Sequence, residues 1–223
     1  MKFSILILFS CIFYSYSLSA SDSLEVTKNF KFRDGIFSTI SDFQTNKPSY
    51  LWKDVKATLV SNPQNYQVQI REIVTLKGDT LDCAKIWGLA VGGIPYLNID
   101  QLSNSKNDLF HFAGFQVRGK ICYFDYETTQ VRKIKMPVYN PVTGKPFRIG
   151  EIERDSVAKH GKLMKFETGE VVDFTAKNLL KWIASDKSLS DSVKEISGAN
   201  MSEKLFKSLL IFDDRNKVFI KKN

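Results

Sequence analysis

The residues best placed to do chemistry are carboxylates set two apart. Asp125 and Glu127 fall in a strand-like run, where residues two apart face the same way, and Glu151, Glu153 and Asp155 repeat the pattern. Two carboxyl groups facing one cavity can hydrolyse a glycoside, one as acid and the other as base or nucleophile. Oxygen ligands of this kind also hold calcium. A solvated charged face gives the same spacing, and that is the plainer expectation for both sets. The chain has 2 histidines, His111 and His160. His111, between Phe110 and Phe112, reads as a half-buried imidazole with a partner, and His160 as a group at a loop rim. There is no His-x-x-x-His pair, no Gly-x-Ser-x-Gly elbow and no glycine-rich phosphate loop, so neither a metal nor a nucleotide cofactor is expected.

Cys83 and Cys122 lie in apolar, strand-like runs. In an oxidising compartment they are a disulfide candidate; equally, they read as two buried thiols packing as small hydrophobes. Trp87, Tyr96, Tyr123 and Tyr126 are the candidate binding residues, with Tyr66 nearby in the sequence. Exposed together, such rings stack on a sugar or pack against a protein partner. Singly, each also suits a core.

The first twenty residues have a different purpose. Lys2, the apolar run from Phe3 to Tyr14, and the small residues Ser17, Ser19 and Ala20 make a secretory signal, with cleavage after Ser19 or Ala20. The protein is therefore expected to be exported, periplasmic or extracellular. Leu8-Phe9-Ser10-Cys11 offers the alternative of a lipid anchor through Cys11. The full chain carries 32 Lys and Arg against 24 Asp and Glu. The excess is spread along the chain without a dense basic tract, which points away from nucleic acid. No segment after the signal is long and apolar enough to span a bilayer as a helix.

Hydrophobic periodicity places these residues on elements. An Asp34-Gly35 turn between Phe30-Lys31-Phe32 and Ile36-Phe37 reads as a short hairpin. Ser38 or Thr39 caps a brief helix through Phe43. Tyr66 to Ile70, Ile73 to Leu76, Ala84 to Val91, Ile94 to Ile99, Phe110 to Gln116 and Ile121 to Tyr126 read as antiparallel strands. Gly92-Gly93 supplies a tight turn among them, and Pro95 marks an edge or bulge. Pro137, Pro141, Gly144 and Pro146 read as the start of a loop. A hairpin follows over Leu163 to Phe174, then three helices: one capped by Thr175, one from Asp186 to Ile196, and one starting at Asn200 with Glu203 completing a capping box. The expected class is α+β. Residues 1–20 are the signal, 21–138 an antiparallel β meander forming a small barrel or sandwich, 139–162 a loop or linker, and 163–223 a hairpin with a three-helix segment.

Taken together, Phe32-Arg33-Asp34-Gly35-Ile36-Phe37, Asp42-Phe43, Asn46-Lys47-Pro48, Lys85-Ile86-Trp87-Gly88 and Pro95-Tyr96-Leu97-Asn98 resemble small secreted, cell-envelope proteins of Bacteroidota. Gly119-Lys120-Ile121-Cys122-Tyr123-Phe124 and Phe166-Glu167-Thr168-Gly169-Glu170 extend the likeness over most of the chain after the signal. That family carries no assigned activity, so the resemblance implies a location and no mechanism. The function expected is a non-enzymatic exported protein that binds a protein or glycan of the cell envelope. The alternative is a hydrolase of an envelope polymer working through Asp125 or Glu151.

Overall fold

Alternation along a single strand sets the layers. In the computed structural model, which describes residues 23–62, 64–103, 109–198 and 200–221, Cys122, Phe124 and Tyr126 pack into one apolar core while Ile121 and Tyr123 pack into another. Period-two burial on both faces means that this strand lies between two layers. The expected signal and Cys11 lie outside the described residues.

In chain order the strands are β1 (Ser23–Glu25), β2 (Gly35–Phe37), β3 (Val55–Asn62), β4 (Gln67–Thr75), β5 (Gly88–Val91), β6 (Ile94–Asn98), β7 (Phe110–Gly114), β8 (Ile121–Tyr139), β9 (Pro146–Lys165), β10 (Val171–Asp173) and β11 (Phe219–Lys221). The helices are α1 (Ile40–Gln44), α2 (Asp100–Ser103), α3 (Ala176–Trp182), α4 (Lys187–Lys194) and α5 (Met201–Arg215). Strand predominates and helix is second, an α+β composition. One sheet has six antiparallel strands in the order β2-β5-β6-β7-β4-β3. A second has three, β10-β9-β8, and β1 pairs with β11.

The first core, with Phe43 inside it, fills the space between these two larger sheets. Ala90, Leu97 and Ala113 enter it from the six-stranded sheet, and Phe124 and Met164 from the three-stranded one. Neighbours Leu89, Tyr96 and Phe112 point the other way, into a core on the far face of the six-stranded sheet. On the outer face of the three-stranded sheet, Ile121 and Leu163 meet Leu179, Trp182, Leu189, Leu205 and Phe212 from α3, α4 and α5. Thr39 caps α1 in a reciprocal box with Asp42, and Thr175 and Asp186 cap α3 and α4 through their side chains. Asn200 does not act as expected: it takes a left-handed backbone and makes no side-chain cap bond, while Glu203 pairs with Lys207 at 2.7 Å.

Four expectations are corrected. The sheet is not a simple meander, because β3 and β4 precede β5 in the chain yet lie beyond β7 in the sheet. Asp34-Gly35 does not close a hairpin; the Asp34 carboxylate accepts the Gly93 N–H at 2.7 Å, and β2 pairs with β5 instead. Pro95 lies in an interior strand, where its carbonyl accepts the Phe115 N–H at 2.9 Å. The stretch 139–162, read as a loop, is strand from Pro146 onward. It pairs with β8 through to Ile121, so that β8 has 19 residues and β9 has 20.

Candidate binding surface

The carboxylates do not converge. Asp125 is 6% exposed and accepts from the Tyr123 hydroxyl at 3.2 Å, with the Lys159 ammonium at 3.1 Å. Desolvation by burial, reinforced by the negative Asp125, pushes the Tyr123 phenol well above its usual range. Tyr123 therefore stays protonated as a donor. This network braces the root of the β8–β9 hairpin. Asp125 stands opposite Gly161, whereas Glu151 stands opposite Lys135. Ten rungs separate them, about 33 Å at the rise of a strand, far beyond any shared cavity. Glu127 is exposed to solvent.

Both histidines have partners. His111 Nδ1 lies 3.2 Å from Asp100 Oδ1, which also accepts the His111 backbone N–H at 3.1 Å. His160 Nε2 lies 2.9 Å from Thr128 Oγ1, and its ring stacks on Tyr126 with centroids 5.2 Å apart. Among the described residues no group of three or more His, Cys, Asp and Glu could hold a metal ion.

The aromatic candidates are dispersed. Tyr96 and Tyr126 are buried in different cores, and the Tyr126 hydroxyl donates to the Leu102 carbonyl at 3.4 Å. Tyr123 is half-buried, edge-on to Phe174 and Phe206. Trp87 is half-buried and stacks on Phe43 at 4.7 Å; it lines a cavity of about 390 Å³ with Lys85, Asn98, Leu102 and Val171. No shared aromatic platform results, because alternation sends neighbouring rings to opposite faces of their sheets.

Cys83 and Cys122 are free, and they are buried in separate cores. The disulfide alternative is thereby corrected in favour of two packed thiols. Burial raises both, and pushes Cys122 up to about 12. Since thiolate is the reactive form, native protein is expected to resist iodoacetamide. Both cysteines should alkylate in denaturant without prior reduction, and intact mass should not change on reduction. Alkylation that requires a reductant would contradict this placement.

A second cavity, of about 560 Å³, lies between Lys28, Arg118, Asp213 and Lys217. Arg118 is occupied in bracing the chain: its guanidinium donates to the carbonyls of Phe30, Gly93 and Lys28. Asp213 accepts the Ile121 N–H at 2.9 Å. Gly119 makes this approach possible, since a Cβ there would fall 2.5 Å from the Asp213 carboxyl carbon. The cavity is a place where α5 is fastened to the turn before β8.

The surface that the sequence did not disclose is the outer part of the β8–β9 hairpin. Burial ends at Tyr126, and from Thr129 to Pro137 every β8 side chain is exposed, as is β9 from Pro146 to Ile149 and from Glu151 to Asp155. A two-stranded ribbon of roughly 40 Å thus extends β8 and β9 beyond their covering layers. Its two faces differ. Residues paired across an antiparallel ladder share a face. One face carries Lys133 opposite Glu153, Lys135 opposite Glu151 and Val131 opposite Asp155, with Lys133 and Glu153 at 4.0 Å. The other carries Ile134 opposite Ile152, Met136 opposite Gly150, Arg132 opposite Arg154 and Val138 opposite Arg148. That second face has apolar groups and three arginines and no acid. It is also the face that, closer in, holds Tyr126, Phe124 and Cys122 in the core between the sheets.

The alternation of Glu151, Glu153 and Asp155 was the available signal for the ribbon. Its meaning appears only when Lys133 and Lys135 are set opposite. Among the described residues no helix is long and apolar enough to cross a membrane. Comparison of the chain with protein-family models, with curated proteins and with solved structures finds no match.

Proposed function

We propose that this is a non-enzymatic binding protein, exported to the cell envelope, that holds a partner protein along the shaft of the β8–β9 arm. The β-rich first part of the chain, the hairpin and the C-terminal helices act as the scaffold. The observation that carries the reading is the sidedness of the arm: a charge-paired face and, opposite, the Ile134–Ile152 and Met136 strip with Arg132 and Arg154. Met and Arg are enriched at protein interfaces and Lys and Glu depleted. An isolated two-stranded ribbon is marginally stable, and its open strand edges also accept an added strand. The glycan version of the expectation has less behind it, because the rings meant to stack on sugars are spread through separate cores and cavities. The hydrolase alternative has less behind it, because Asp125 is buried against Lys159 and neither of the two cavities described is lined by Asp125, Glu127 or Glu151.

The test places a photo-reactive benzoylphenylalanine at Ile134 or at Lys135, adjacent positions on opposite faces, in the producing cell. Discrete protein adducts are expected from position 134, with those from position 135 weaker by about tenfold. A variant with 129–157 replaced by Asn-Gly should melt within about 1 kcal/mol of the parent, because it removes exposed chain. Equal labelling from both faces, or none from either, would overturn the assignment.

A further inference from the structure

Beyond the shaft the arm changes character. Between Val138 and Tyr139 the ladder slips, pairing Tyr139 with Pro146 and leaving Phe147 as the extra residue. Strongly exposed apolar groups stand on both sides of the ribbon and at its turn. Ile149 is on the charge-paired side, Val142 at the apex and Phe147 at the slip, and they are 73%, 90% and 60% exposed. Tyr139 joins them. Beyond the Lys135–Glu151 rung, from 136 to 150, the charged side chains are Lys145 and Arg148, with no Asp or Glu.

We infer that this tip inserts into an anionic phospholipid surface. A protein groove would select one face of a ribbon; a bilayer surrounds a tip, and the apolar residues here surround it. The turn is also built to leave water. Asn140 N–H donates to the Lys145 carbonyl at 2.9 Å and Gly144 N–H to the Asn140 carbonyl at 2.8 Å. The Asn140 side-chain oxygen accepts from Val142 N–H at 2.8 Å and Thr143 N–H at 3.3 Å. Pro141 and Pro146 have no N–H to satisfy. Backbone donors bared in hydrocarbon are the main obstacle to inserting a loop, and from 140 to 144 each backbone N–H is already bonded. The Arg148 guanidinium sits 5.6 Å from the Phe147 ring centroid, an aromatic beside a cation that can reach back to phosphate.

This inference rests on the tip and stands apart from the shaft reading. The test is co-sedimentation of the exported full-length protein with phosphatidylcholine vesicles, with and without phosphatidylglycerol. Binding is expected only with phosphatidylglycerol, about tenfold weaker in high salt and in V142D/F147D, and unchanged in Leu76→Asp, an exposed position away from the arm. The emission of a tryptophan introduced by Val142→Trp should shift to the blue on binding. Equal binding to uncharged vesicles, binding that survives V142D/F147D, or no blue shift would each overturn it. Protein cross-links from position 142 in cells, with no vesicle binding, would instead make the tip a protein contact and reject the membrane assignment.

Discussion

Phe43→Ala is expected to lower the stability of this protein by about 4 kcal/mol, a large share of what a domain of ordinary stability possesses. The ring is fully buried and lies at the meeting of five others. It stacks on Phe32 and Trp87, each 4.7 Å away, and is tilted against Phe166 at 5.3 Å. Phe115 lies at 5.8 Å, and Phe37 meets it edge-on at 6.0 Å. Those rings come from separate strands and loops on both sides of the core, so they cannot all move inward to fill the space. The cost then includes both the lost transfer energy and a cavity that stays open, besides the ring-to-ring preference itself. Phe43 is also rigidly delivered: the Thr39–Asp42 box fixes the start of α1, and Gln44 donates to the carbonyls of Phe166 and Glu167 at 2.6 and 2.8 Å. Urea denaturation measures the loss, with Phe43→Leu as a control expected to lose about half as much. Trp87 emission should shift to the red in Phe43→Ala alone, as its stacking partner disappears. A loss under about 1 kcal/mol would mean that the ring is not the keystone of the inter-sheet core.

What could be read from the sequence was local. Thr175, and Ser38 or Thr39 as alternatives, announce helix starts because a cap is a bond between residues three apart, although the same pattern at Asn200 and Glu203 forms no cap. Gly92-Gly93 announces the β5–β6 turn because both residues adopt positive φ, 62° and 80°. The order of strands could not be read, since pairing β4 with β7 depends on contacts between residues some forty apart along the chain. The arm was hidden by its own composition. Pro137, Pro141, Gly144 and Pro146 are loop residues in most contexts, but an uncovered ribbon has open edges where a proline forfeits no ladder bond. The aromatic candidates failed for a different reason. Tyr96 and Tyr126 face different cores because Tyr96 points to the far face of its sheet, while its neighbour Leu97 joins Tyr126 in the core between the sheets. Nor could the separation of Cys83 and Cys122 be derived from spacing.

Between about pH 4 and pH 7 the protein is expected to lose stability as pH rises, against the usual trend for carboxylates. The cause is Asp213. Burial pushes its carboxyl up to about 7, only partly offset by the backbone N–H groups of Ile121 and Lys120 and by Lys217. Its second oxygen is buried with no hydrogen-bond partner. In this window the folded state holds a proton at Asp213 and the unfolded chain does not, so raising the pH favours unfolding. The loss accumulates up to the folded value near 7 and then levels off, at most about 4 kcal/mol in all. Asp82, Asp186, Glu203 and Asp214 act in the opposite direction, because each is held below its ordinary value by a hydrogen bond in the fold. Their contribution is present above about pH 4 and is lost only in more acid solution, leaving a stability maximum at mildly acid pH. Urea titrations from pH 4 to pH 8 test this directly. Asp213→Asn should flatten the descending limb while leaving the acid limb in place, since an amide does not ionise and those four carboxylates are untouched. A descending limb that persists in Asp213→Asn would assign the effect to another group, and a rise in stability across the window would mean that Asp213 is ionised in the fold.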